Sequence, residues 1–133
     1  MTFFLDSNVL IFILRGTNRK VADKLKQLPP SEVKIPSVVL AEIVEGAYRN
    51  HDVKGTLEKV LVLISPYEVV PFDKHAAMTG GKIGAELGKE GKKIGPNDLL
   101  IAATAMSRGG TLVTNNTKEF ERIDGLRIED WCE

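Results

Sequence analysis

Apolar residues along the chain follow two rhythms. Short runs at Thr2 to Leu5, Val33 to Ile35, Val69 to Phe72 and Thr111 to Thr114 read as buried parallel strands, and the stretches between them carry apolar positions at helical spacing. After the first run, a helix capped by Ser7 or Asn8 extends through Leu14. Gly16 to Asn18 break the pattern before an amphipathic helix from about Arg19 to Leu28, which Pro29 and Pro30 end. Pro36 and Ser37 open a helix with Val38, Ala41, Ile43, Val44 and Ala47 favouring one side, and Asp52 begins another that closes near Ser65 and Pro66. Asp73 caps a long helix in which Gly80, Gly84 and Gly88, four apart, leave a narrow strip for close packing. Gly95 and Pro96 start a helix over Asn97 to Ser107, apolar on nearly every side and therefore central. The fourth run ends at Asn115 and Asn116, followed by a short helix near Phe120 and an extended piece before Trp131. Strands separated by helices predict a single α/β domain over residues 1–133 with a mostly parallel sheet.

Composition narrows the partners. The 18 basic and 18 acidic residues cancel, so nucleic-acid binding has to be local rather than driven by a global positive field. The single cysteine, Cys132, excludes an intrachain disulfide and fits a reducing compartment, with the cytoplasm as the default. The opening segment is apolar, but Asp6 interrupts it. The run after Asn8 is too short to span a bilayer, and the segment lacks the basic start and cleavage site of a signal peptide, so it reads as core.

Ligands of open parallel sheets bind where the strands exit. Asp6 and the turn from Thr114 to Asn116 lie at such exits, while Glu42 and Asp98 stand early in helices that follow strand or turn signals. Carboxylates gathered on one rim repel one another, so at least one has a raised pKa unless a divalent cation neutralises the group. Oxygen donors without paired histidines or cysteines suit Mg²⁺ or Mn²⁺. Asp98, at an early helical position, also feels the positive end of the helix dipole, which favours its ionised form. Taken singly, each residue has a plainer reading: Asp6 as a helix cap, Glu42 as an ion-pair partner, Asp98 as a first-turn stabiliser. His51 and His75 lack metal-pair spacing and read as surface residues, and the glycines lack the Gly-Lys-Ser/Thr of a phosphate loop.

The stretches FFLDSNVLIFIL, IPSVVLAEIVEGA, IGPNDLLIAATAMSRG and LVTNNTKEFERIDGLRIEDW, in that order and nearly end to end, closely resemble the PIN-domain ribonucleases of the VapC toxin type. The resemblance implies a parallel five-stranded sheet between helices, with an acidic site at its exit edge. It places Asp6, Glu42 and Asp98 at the first three acidic positions and Thr114 at a small hydroxyl position beside them. At the fourth, where many members carry aspartate, this chain has Asn116, which can still offer a carbonyl oxygen to a cation or its water. Glu119, one helical turn on, can supply the missing charge. Ser7 replaces a common threonine and keeps the hydroxyl.

The implied chemistry is metal-assisted phosphodiester hydrolysis of structured RNA, tRNA or rRNA, leaving a 5′-phosphate and a 3′-hydroxyl and inhibiting translation. Asp6 and Asp98 would be direct ligands of Mg²⁺ or Mn²⁺, and Glu42 a ligand or a proton acceptor. Lys82, Lys89, Lys92 and Lys93 are candidate contacts to the RNA backbone, since residues 74–93 hold five lysines against two glutamates; a solvated helix face is the plainer reading. The resemblance also implies a homodimer and a cognate antitoxin protein that fills a groove and blocks the acidic site. Ile11, Ile13 and Leu14 are available for those contacts or for the core. Two other readings stay open: a catalytically silent PIN-like module that binds RNA or antitoxin, kept alive by Asn116, and a phosphoryl-transfer enzyme with Asp6 as nucleophile, weakened by Asn8 where a second aspartate is usual.

Overall fold

The computed structural model describes residues 1–133. Five short strands, β1 (Phe3–Leu5), β2 (Val33–Pro36), β3 (Glu68–Val70), β4 (Thr111–Val113) and β5 (Arg127–Glu129), form one sheet. Its order is β3-β2-β1-β4-β5, and every pairing is parallel. Parallel neighbours need crossovers, and helices supply them. α1 (Ser7–Arg15) and α2 (Arg19–Lys26) link β1 to β2, and α3 (Ser37–Tyr48) and α4 (Val53–Ile64) link β2 to β3. α5 (Lys74–Lys89) and α6 (Pro96–Ser107) carry the chain back across to β4, and α7 (Thr117–Phe120) leads to β5.

The chain thus winds outward from β1 in one direction and then in the other, which makes the crevice between β1 and β4 the switch point of the sheet. Phe4, Leu5, Val33, Ile35, Leu112 and Val113 are buried on both faces, as near-continuous apolar strands require. α5 packs along α6, while α1, α3 and α4 form a second group; α3 also meets α6. Ile101 to Ala105 of α6 are buried throughout, so the all-round apolar helix is central as expected.

Several local expectations need correction. The cap of α1 is Asp6, whose side chain accepts from the Ser7 amide; Ser7 is already helical, so its hydroxyl is free for another partner. The third strand is Glu68–Val70 rather than Val69 to Phe72, because Pro71 has no N–H for the ladder and Phe72 turns into the core. The second helix stops at Lys26, short of Leu28. Of the glycine strip, Gly80 and Gly84 do sit against α6, where an added Cβ would lie 3.3 Å from Ala103 Cβ and from Leu99 Cδ2; Gly88 has no such neighbour on α6. Asp52 and Asp73 cap their helices as read from the sequence.

Gly110 carries the tightest approach to the sheet. A Cβ there would run into the buried Phe4 ring and lie 3.2 Å from the Thr2 carbonyl, one a packed ring and the other backbone. Gly110→Ala should cost about 1–3 kcal/mol by overpacking. Gly81→Ala, exposed in α5 with nothing within 4 Å, should instead stabilise by about 0.5–1 kcal/mol through helix propensity. Urea unfolding midpoints at equal m-value read both; a neutral Gly110→Ala would mean that Phe4 has room to move.

Candidate active site at the sheet switch point

Asp6 leaves β1 directly into the switch-point crevice and is only 5% exposed. Its backbone N–H still belongs to the sheet, donating to the Val113 carbonyl at 2.9 Å, so the side chain is aimed by the ladder itself. Each carboxylate oxygen has a donor: the Ser7 amide at 2.8 Å on Oδ1 and the Thr114 hydroxyl at 2.7 Å on Oδ2. Thr114, fully buried one residue beyond β4, also accepts from the Asn116 amide at 3.0 Å. The ends of the two central strands are therefore stitched together by side chains.

Glu42, in the second turn of α3, is reached by Ser7, whose hydroxyl donates to Oε1 at 2.8 Å. Asp98 is the third residue of α6, after Gly95 and Pro96 have started that helix. Glu119 sits in α7 and is held from two sides: the Gly95 amide donates to Oε1 at 2.8 Å and the Asn116 side-chain amide to Oε2 at 3.0 Å. Glu119 also shares a hydrogen bond with Asp98. Asp6, Glu42 and Glu119 all act on Asp98 through their charge, so Asp98 stands in the field of the other three acids. None takes part in any of the chain's five ion pairs.

Electrostatics follow from that crowding. Burial pushes Asp98 up to about 7, and the charges of Asp6, Glu119 and Glu42 add to it. The helix dipole, worth about 0.3–1 kcal/mol at an exposed terminus, does not prevail against burial and three carboxylates. The expectation that Asp98 is driven toward its ionised form is thus reversed. Burial also raises Asp6, partly offset by its bonds from Thr114 and Ser7. Glu119 moves the other way, lowered first by the Gly95 amide and then by Asn116. One member is therefore poised to share a proton while its neighbour stays charged.

Asn116 lies beside the cluster but presents its amide to Glu119, so it orients the acid next to it. No three acidic, histidine or cysteine side chains already close around one point as metal ligands. Ser7 holds Glu42, and Gly95 and Asn116 hold Glu119. Lys82 and Lys89 are exposed on α5, Lys82 about 10 Å further back along the helix axis. Lys92 and Lys93 are in the loop that leads to Gly95. His51 and His75 are exposed. Sequence reasoning treated Ser7 as a cap and so missed its bond to Glu42; it also missed the Gly95 amide, which no side-chain motif announces.

A family model described as PIN domain matches residues 3–126. The chain belongs to the PIN-domain family, in its VapC branch. It is 41% identical over 99% of both chains to the tRNA(fMet)-specific endonuclease VapC of Salmonella typhimurium. It is 31% identical over 98% of both chains to Ribonuclease VapC1 of Haemophilus influenzae. Among solved structures, DNA-bound VapBC from Salmonella typhimurium superposes with a TM-score of 0.94 at 40% identity over 99% of each chain. VapBC2 from Rickettsia felis, bound to a promoter DNA fragment, superposes at 0.92 with 32% identity, covering 98% of this chain and 99% of that one. The PIN fold expected from the sequence is the fold observed.

The charge arrangement fixes a pH dependence for the metal-free protein. Asp98 ordinarily titrates near 3.8 and here near 7, so between those values the folded chain keeps a proton that the unfolded chain has lost. Its contribution to stability is full below about pH 4 and falls as pH rises through 7. Glu119, lowered from 4.5, favours the folded state as pH rises, but that gain is complete by about pH 5. In EDTA, the melting temperature should therefore fall from about pH 5 to about pH 8. Asp98→Asn should raise it at pH 7.5 and flatten the profile. An unchanged profile in the variant would place the charge stress elsewhere.

Proposed function

We propose that this protein is a metal-dependent endoribonuclease, the toxin of a type II toxin–antitoxin pair, that cuts structured RNA in the cytoplasm and so inhibits translation. The observation that carries this reading is the gathering of Asp6, Glu42, Asp98 and Glu119 at the sheet switch point with no Lys or Arg paired to any of them. The full-length likeness to relatives named as ribonuclease and tRNA endonuclease supports it. The donor set fits a hard divalent cation in kind, being carboxylate oxygen alone, and in charge, since four acids stand near one another with no Lys or Arg paired to any of them. Asp6 and Asp98 would hold Mg²⁺ or Mn²⁺ directly, with Glu119 rather than Asn116 as the fourth acid. Bound there, the cation supplies charge to hold the scissile phosphate and to acidify a water.

The chain's own residues do the rest. Ser7 occupies one oxygen of Glu42 and leaves the other to accept a proton from the attacking water. Thr114 and the Ser7 amide fix both oxygens of Asp6, so that carboxylate keeps its direction as charge changes around it. Glu119, tied to the Gly95 amide, sets where α6 begins and hence where Asp98 points. The products are a 5′-phosphate and a 3′-hydroxyl.

An antitoxin segment has a place to lie. A groove of about 400 Å³ between α1, α3 and α4 is lined by Ile11, Leu14, Ile43 and Val60, with Arg15 and Lys59 beside them and Glu42 among its wall residues. Apolar side chains of the antitoxin would fill it, and a basic one would reach Glu42. Ile13 and Leu14 continue the apolar surface toward Val62 on α4. A homodimer completes the proposal, for which light scattering should read twice the 14.6 kDa chain mass. No helix is long and apolar enough to cross a membrane.

Purified, antitoxin-free protein with Mg²⁺ or Mn²⁺ should give discrete cuts in total RNA. EDTA, Asp6→Asn and Asp98→Asn should each abolish them, and Glu119→Gln should cost more than Asn116→Ala. A folded, metal-loaded chain that cuts nothing would point instead to a silent binding module.

A further inference from the structure

An acidic site repels the polyanion it has to cut, so something beside it must hold the backbone. Next to Glu119 is a cleft of about 410 Å³ with no apolar wall, formed by Gly91, Lys92, Lys118, Glu121 and Arg122. Three of its five residues are cations and one is an anion. Its two sides come from elements far apart in sequence, the turn after α5 and the residues of α7 and just beyond, and both sides are pinned. Gly91, at φ +66°, reverses the chain after α5, and the Lys92 amide closes that reversal on the Leu87 carbonyl at 2.9 Å. Across the cleft, the Arg122 guanidinium donates to the Lys93 carbonyl at 2.9 Å, while Gly95 in the same loop is bound to Glu119. Arg122 also lowers Glu119 through its charge, so the cleft and the acidic cluster share a boundary.

We infer that this cleft is a phosphate-binding subsite that seats the RNA backbone on the flank of the scissile bond, with Lys92 and Lys118 as its contacts and Arg122 as the strut that holds its walls together. The inference rests on the ribonuclease reading above. Lys92 leans only loosely on Glu90, at 3.8 Å, and is more than half exposed, so its ammonium is free to turn to a phosphate. Lys118 enters no ion pair. The cleft is shallow and open to solvent, so an extended phosphodiester backbone can lie across it. Arg122 spends a donor on the Lys93 carbonyl, so it shapes the cleft even where it does not touch RNA. The backbone contacts thus come from Lys92, in the loop after α5, and Lys118, on α7.

The test is steady-state cleavage of one RNA oligonucleotide by the full chain over a salt series. It compares wild type with Lys92→Gln/Lys118→Gln, Lys92→Arg/Lys118→Arg and, on the exposed side of α4, Lys54→Gln. The glutamine pair should raise KM by about tenfold with kcat within twofold. It should also flatten the slope of log(kcat/KM) against log[salt] by about 1 to 2, the loss expected for one or two phosphate contacts. The arginine pair should restore both, and Lys54→Gln should match wild type. A glutamine pair with wild-type KM and slope overturns the subsite while leaving the ribonuclease reading intact, as does a defect that arginine fails to rescue or one confined to kcat. A wild-type chain that cuts no RNA overturns both.

Discussion

The hydrogen bond from the Thr114 hydroxyl to the Asp6 carboxylate, 2.7 Å long and fully sheltered, is the constraint around which the rest is arranged. It joins the exits of β1 and β4, the two strands between which the winding of the sheet reverses. Burying a carboxylate costs several kcal/mol unless its oxygens are bonded. Both oxygens of Asp6 are bonded, and one of those donors is the first amide of α1. The same residue therefore ends a strand, starts a helix and bridges to a second strand. Because Asp6 takes the cap, Ser7 falls inside the helix with its hydroxyl free, and that hydroxyl reaches Glu42 on α3. One buried acid thus sets the position of a second.

Charge that would destabilise an ordinary core is retained here and left uncompensated. Asp98, raised to about 7, reflects first its burial and then the charges of Asp6, Glu119 and Glu42 around it. Sites that work against stability in this way are where function is expected, since binding can recover what folding gives up. Glu119 is the counterweight. Its bonds from Gly95 and Asn116 lower it, opposite in direction to Asp98.

The fold was legible because its signals are local. Apolar strands, the caps Asp52 and Asp73, and the all-round apolar α6 can each be recognised from a few neighbouring residues. Where local reading failed, a competing local rule explains it: Pro71 ended β3 before Phe72, and Asp6 outranked Ser7 as cap because its carboxylate already faced the first amide. The acidic residues were legible as candidates, Asp6 from its place at a strand end and the others mainly from family likeness. Their energetics were not. The state of Asp98 depends on Asp6, Glu42 and Glu119, which are distant in sequence, and the bond from Ser7 to Glu42 spans 35 positions. The cleft walled by Lys92 and Lys118 was half visible as a lysine surplus around α5, but its second wall comes from α7, which the charge count never included.

Burial and three neighbouring carboxylates raise Asp98, and a divalent cation bound there would displace its proton. Calorimetric titration of the protein with Mn²⁺ in buffers of different ionisation enthalpy measures the protons released per ion bound. Metal ligands must be deprotonated, so release should approach one proton per ion near pH 6, fall toward zero at pH 8, and vanish in Asp98→Asn. Binding at pH 6 without proton release, or release that survives Asp98→Asn, would mean that the ion does not displace a proton from Asp98.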